Sequence, residues 1–153
     1  MRSANLQNKG ISMDRTAKAQ WKGDLKSGTG TISSASGVLS NAQYSFKTRF
    51  ENGTGTNPEE LLAAAHAGCF SMALSLVLEQ AGLKADSIDT TCTITLDRDG
   101  EGFAIKKSHL QMTAKIPGAT NEAFQKAAEG AKQNCPVSKL YKADITLDAK
   151  LES

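Results

Sequence analysis

Three thiols, Cys69, Cys92 and Cys135, are the side chains of this sequence best suited to redox or nucleophilic chemistry. Their separations contain no C-x-x-C pair and no zinc-ribbon repeat, and an odd number leaves no complete disulfide framework. Cys69 sits inside "NPEELLAAAHAGCFSMALSLVLEQAG", residues 57–82, which reads as one helix with apolar residues on almost every side. A thiol in such a place is a packing residue by default. To act as a nucleophile it needs its thiolate stabilised, and it lies about three turns into the helix, beyond the N-terminal field of that helix. The cation must come from elsewhere. His66, three residues earlier on the same face, loses its charge when desolvated. Arg49 in "TRFE" keeps its charge when buried and offers several donors in a planar fork, with Glu59 or Glu60 available as its anion.

Cys135 precedes Pro136, which pushes it towards an extended conformation and makes it the cap of a following short helix. There its sulfur would sit at the positive end of that helix, on a turn that can move, which suits a resolving thiol. A capping cysteine without redox function fits the same residues. Cys92 alternates with Ile94 and Leu96 on one strand face, opposite Thr91, Thr93 and Thr95, and is expected to be a packed small hydrophobe. A His66/Cys69/Cys135 metal site has suitable residue types, but three ligands without a paired short spacing do not favour it.

The elements that must position these groups are legible as patterns. "TAKAQWKGDL", "GTISSASGVLS" and "QYSFKTRF" read as three short strands, separated by Gly/Ser-rich turns. Asn57 as N-cap, Pro58 at N1 and Glu60 at N3 start the long helix, and Gly82 ends it as a C′ glycine. A hairpin follows, "SIDTTCTITLDRDGEGFAIKKSHLQMTAKI", turning at "DRDGEG". Phe124, Ala127, Ala128 and Ala131 share one helical stripe, and "KADITLDAKLES" is a last alternating strand. Strands, long helix, hairpin, helix and strand together predict an α+β domain with helices on one side of antiparallel sheet.

A helix apolar around its whole circumference cannot be covered by one face of one small sheet. A membrane span is one answer, but His66, Ser71, Ser75 and many alanines dilute it and no Lys/Arg asymmetry flanks it. The other answer, a partner subunit on the far side, predicts a two-fold homodimer. The 153 residues suit one domain, expected over 14–153 after a disordered lead-in over 1–13 that has no secretory h-region. Eighteen Lys plus Arg against sixteen Asp plus Glu, net charge +2 without a basic block, argue against nucleic acid or membrane as partner and, with the thiols, for a cytoplasmic protein.

"TRFENGTGTNPEELLAAAHAGCFSMALSLVLEQAG", "SIDTTCTITLD", "GFAIKKSHLQMTAKIPG" and "CPVSKLYKADITLDAKL" resemble, in order, the osmotically inducible protein C branch of the OsmC/Ohr superfamily. The resemblance runs from about residue 17 to the C-terminus and includes both cysteine motifs. It implies a two-layer fold with antiparallel sheets around a long buried central helix, in an intertwined homodimer. It further implies a stress-responsive peroxidase, tied to hyperosmotic conditions, that reduces organic hydroperoxides with two cysteines, no cofactor and no metal. Carried over by motif, Cys69 is peroxidatic, Cys135 resolving, and Arg49 and Glu59 are the supporting pair; a dithiol, for which the lipoyl type is one candidate, recycles the disulfide. Ten residues of straight helix between Glu59 and Cys69 span ~15 Å, too far for both to meet one guanidinium. Either the helix breaks or the two residues of one site come from different chains, and the second option predicts sites at the subunit interface. A thiol redox sensor and a small-ligand-binding dimer with structural cysteines are the rival readings.

Overall fold

The Gly/Ser-punctuated N-terminal part folds as its alternation predicts, into a three-stranded antiparallel meander. Strands β1 (Ala17–Lys22), β2 (Thr29–Ser34) and β3 (Ala42–Tyr44) pair in that order. The structure is a computed structural model describing residues 12–152, in which the chain forms two compact units, one ending at Asn57 and one starting at Pro58. Most of the lead-in expected over residues 1–13 therefore lies outside the described residues. Asp24 shapes the first turn by accepting from the Ser27 backbone N–H at 2.7 Å and from its hydroxyl at 2.6 Å. Trp21 and Tyr44 pack at 5.4 Å between centroids over Gly30, where a Cβ would collide with both rings.

The third strand departs from expectation. It ends at Tyr44, and "FKTRF" forms a one-turn helix, α1 (Phe46–Phe50), instead of continuing extended. The cause is local. Ser45 accepts from the Thr48 N–H at 3.3 Å while Thr48 Oγ1 accepts from the Ser45 N–H at 2.8 Å, a reciprocal capping box that redirects the backbone.

The second unit starts with the long helix α2, Pro58–Gln80, at the residue that the Asn57-Pro58 signal marks. Gly82 closes it with φ +75°: its N–H donates to the Glu79 carbonyl at 3.0 Å, and the Leu83 N–H returns to the Leu78 carbonyl at 2.8 Å. Next come β4 (Ser87–Asp99) and β5 (Gly102–Lys115), a long antiparallel hairpin. Helix α3 (Asn121–Asn134), the one-turn helix α4 (Pro136–Leu140) and β6 (Asp144–Glu152) complete the unit.

This sheet is mixed, which corrects the all-antiparallel expectation. β6 pairs with β5 in parallel, from Lys107 opposite Asp144 to Lys115 opposite Glu152. Between the two strands the chain makes a crossover through α3 and α4, and such a connection returns the chain in the direction in which it left.

Two rows of α2 residues, on opposite sides of the helix, explain its uniform apolarity. His66, Phe70, Leu74 and Leu78, four apart, are fully buried. The apolar members of this row join Phe124, Ala127, Ala128 and Ala131 of α3 and Leu110, Met112 and Ala114 of β5 in one core. Each large side chain contributes roughly 1.5–3 kcal/mol by leaving water. Ala64, Gly68, Met72 and Leu76 form the opposite row and face outwards, with Met72 76% and Leu76 55% exposed. The helix has the length and hydropathy of a membrane span, but one of its sides is committed to a packed core.

Candidate active site

The fully buried face of α2 carries His66, and Cys69, one turn on, is half-buried beside the core. From the opposite side of the crossover, α3 ends at Cys135, whose N–H donates to the Ala131 carbonyl at 2.9 Å. Cys135 takes φ −56° and ψ 125°, the extended ψ that a following proline demands, and Pro136 is the first residue of α4. The fold thus brings together two residues sixty-six positions apart: the Cys135 thiol donates to Cys69 Sγ at 2.7 Å, and both are free thiols.

The environment of Cys69 divides in two. Burial is the larger influence and pushes its thiol up from the usual range, and the neighbouring Cys135 thiol adds to that; the backbone N–H of Val137 acts in the opposite direction. Val137 lies in the first turn of α4. The backbone N–H that acts on Cys69 therefore belongs to α4, not to α2, and it partly offsets the desolvation. Cys135 is the N-cap residue of α4, as the proline after it predicts, and makes no side-chain cap bond.

His66 is not the cation for this thiol. Its Nδ1 is 2.6 Å from Ser108 Oγ and its Nε2 is 2.8 Å from Ser138 Oγ, and burial holds its pKa below the ordinary imidazole value. Each hydroxyl can donate or accept, so a neutral ring is satisfied in either tautomer. Ser108 also lies 3.2 Å from Cys92 Sγ, and burial pushes that thiol up. Cys92 faces inward as expected, packed against the core, and its sulfur also lies 4.0 Å from His66 Nδ1. Tyr141, which no sequence motif marks, stands edge-on to His66 with centroids 5.0 Å apart and donates its hydroxyl to the Leu62 carbonyl at 2.8 Å. Burial, followed by the nearby thiols, raises its pKa, which keeps the phenol protonated.

Arg49 is an exposed residue of α1 in the first unit, with its guanidinium 5.6 Å from the Phe50 ring centroid. Glu59 is buried in the first turn of α2, in the second unit. The helix is continuous from Pro58 to Gln80, so Glu59 and the Cys69 of the same chain are ~15 Å apart along the axis. The broken-helix alternative is thereby removed. Among the described residues no three His, Cys, Asp or Glu side chains are grouped to hold a metal ion. The His66 nitrogens face serine hydroxyls rather than Cys69 and Cys135.

The paired thiols can form one redox-active disulfide, and the chain is similar to known proteins over most of its length. A family model described as OsmC-like protein matches residues 51–150. Peroxiredoxin OsmC of Escherichia coli (strain K12) is 50% identical over 143 residues, spanning 94% of this chain and 100% of the relative. Organic hydroperoxide resistance protein OhrB of Bacillus subtilis (strain 168) is 33% identical over 138 residues, spanning 90% and 96%. An OsmC-like protein of unknown function from Vibrio cholerae O1 biovar eltor shares the fold, with TM-score 0.72 at 15% identity over 90% of this chain and 99% of that one. On the match of its helix, hairpin and crossover to the family model and of nearly its whole length to the first relative, the chain belongs to the OsmC-like protein family.

Proposed function

We propose that the protein is a thiol-dependent peroxidase that reduces organic hydroperoxides, and hydrogen peroxide more weakly, to alcohol or water. The observation that carries this reading is the 2.7 Å contact between Cys69 and Cys135. Cys69 thiolate attacks the distal oxygen of ROOH; the O–O bond breaks, RO⁻ leaves and takes a proton, and Cys69 becomes a sulfenic acid. The Cys135 thiol then displaces water from that sulfur to form the Cys69–Cys135 disulfide. A dithiol of the lipoyl type returns both cysteines to thiols by exchange. The two sulfurs complete the electron balance without a cofactor.

Burial alone leaves Cys69 poorly ionised, so its activation requires added positive charge. Arg49 supplies it, oriented by Glu59 through a bidentate pair, and donates to the peroxide oxygens as charge builds on the leaving alkoxide. The continuous helix separates Glu59 from the Cys69 of its own chain. The Arg49/Glu59 pair therefore serves Cys69 across the interface of a two-fold homodimer in the cytoplasm, where the outward row Gly68, Met72 and Leu76 of α2 is covered by the second copy. The same exposed apolar row supports the dimer independently of the chemistry.

The decisive experiment supplies a dithiol to the wild type and compares an alkyl hydroperoxide, a lipid hydroperoxide and hydrogen peroxide. Many equivalents consumed, fastest for the organic substrates, support the peroxidase; oxidation that stops after one equivalent points to a redox sensor. Arg49→Ala is expected to raise the pH midpoint of Cys69 alkylation, because removing a cation disfavours the thiolate, and to lower kcat/KM about 10²-fold. Met72→Glu, which places a charge in the apolar row, is expected to shift the protein from dimer to monomer in sedimentation and to take the activity with it. A monomer that remains fully active would rule out the shared site.

A further inference from the structure

Contacts between α2 and the Cys135 turn repeat at three levels. Leu62, His66 and Cys69, spaced four and three apart, lie along one side of α2; Cys135, Ser138 and Tyr141, each three apart, meet them in reverse order. At one end the two thiols are 2.7 Å apart, in the middle Ser138 Oγ is 2.8 Å from His66 Nε2, and at the other end Tyr141 donates to the Leu62 carbonyl at 2.8 Å. His66 is itself fixed from behind, because Ser108 of β5 holds its Nδ1 at 2.6 Å.

We propose that His66 with Ser138, and Tyr141 with the Leu62 carbonyl, are positioning residues: they form a polar clasp that holds the Cys135 turn against Cys69 and sets the resolving thiol in reach. The segment needs such a device. Helix α4 has one turn, too short to be stable by its own hydrogen bonds; Pro136 and Leu140 are exposed, and Val137 alone of its apolar side chains packs, half-buried, against the core. Helix α3 places Cys135 from one side only, through the bond from its N–H to Ala131. Ser138 and Tyr141 fix the other side, and both bonds are buried or half-buried, where a neutral hydrogen bond is least exchangeable with water. The clasp also holds Val137, whose N–H acts on Cys69. One group therefore serves both the disulfide geometry and the environment of the first thiol.

This inference rests on the two-cysteine reading, and its test separates the two. The variants are Ser138→Ala, Tyr141→Phe and their combination, with Ser138→Thr as the conservative change that keeps the hydroxyl. The first readout uses no peroxide: the purified dithiol protein is equilibrated with glutathione, and mass spectrometry follows dithiol plus oxidised glutathione going to Cys69–Cys135 disulfide plus two reduced glutathiones. The ratio gives the effective concentration of one thiol for the other. It is expected to fall about tenfold in each single variant and further in the double, with Ser138→Thr within about twofold of wild type. The second readout is the alkyl hydroperoxide concentration that converts half of Cys69 to sulfinic acid. Slower closure of the disulfide should lower that concentration about tenfold, because sulfenic acid then meets a second peroxide first.

An effective concentration unchanged in all the variants, even where their melting temperature falls, overturns the clasp and leaves only structural hydrogen bonds. Tyr141→Phe is nearly isosteric and keeps the test available should Ser138→Ala fold poorly. If wild type forms no disulfide with hydroperoxide while the variants still lose effective concentration, the peroxidase reading fails and the clasp stands. A wild type that cycles alongside variants that match it sinks the clasp alone.

Discussion

Cys69→Ser should consume no hydroperoxide, with a loss in kcat/KM of at least about 10⁴-fold, which corresponds to ~5.5 kcal/mol of transition-state stabilisation. A serine hydroxyl is far less acidic than a thiol and has no counterpart of the sulfenic acid, so both the attack and the intermediate disappear. The substitution is nearly isosteric at a half-buried position, and a melting temperature close to wild type would separate lost chemistry from lost structure. Residual turnover within tenfold of wild type would mean that another thiol, Cys92 or Cys135, is the nucleophile. Neither fits that role as well. The Cys92 sulfur faces Ser108 inside the sheet–helix layer, without the Val137 N–H that acts on Cys69, and Cys135 is fully buried.

Cys135→Ser leads to a different failure. Cys69 should still react once, so one equivalent of hydroperoxide disappears rapidly and a sulfenic acid persists that dimedone can trap. Turnover then depends on external thiol, and the advantage of a resolving sulfur held 2.7 Å away is lost. Well-placed intramolecular partners reach effective molarities of about 10⁵ M or more, against millimolar reductant in solution, so even a modest share of that advantage predicts a steady-state loss of about 10²-fold or greater. Sulfinic acid on Cys69 should accumulate with repeated dosing. Because Cys135 is fully buried in the core, its serine leaves a hydroxyl short of partners at a cost of roughly 1–3 kcal/mol, and Cys135→Ala provides the control. A steady state equal to wild type in both variants would remove the disulfide from the cycle.

These expectations depend on parts of the molecule that were unequally legible. The bounds of α2 could be read because its signals are local: Pro58 suits the first helical position, and Gly82 adopts a positive φ that other residues resist. The α3 stripe and the inward face of Cys92 were legible for the same reason, since helical and strand periodicity place side chains on faces. Helix α1 is hidden although its Ser45–Thr48 capping box is equally local, because "QYSFKTRF" also satisfies a strand pattern. The parallel pairing of β6 was not legible, because a period of two carries no strand direction; the crossover through α3 and α4 sets it.

The chemistry shows a similar division. Residue types and the family motifs identify Cys69 and Cys135 as the thiols to pair, and the uniform apolarity of α2 already implies that one small sheet cannot cover all of it. His66 reads by sequence as a candidate cation for Cys69; in the fold it is a neutral ring between two hydroxyls, with partners forty-two and seventy-two residues away. Tyr141 gives no signal at all until its hydroxyl meets the Leu62 carbonyl.

The sequence by itself determined which side chains can react, where the main helices begin and end, and which faces are apolar, because each of these depends on a residue and its near neighbours. Only the tertiary structure decided that the two thiols touch, that the backbone N–H acting on Cys69 is that of Val137, and that His66 bonds the turn carrying Cys135 through Ser138. Those facts are distances between segments far apart in the chain, and they are set when α2, the hairpin and the crossover pack around one core.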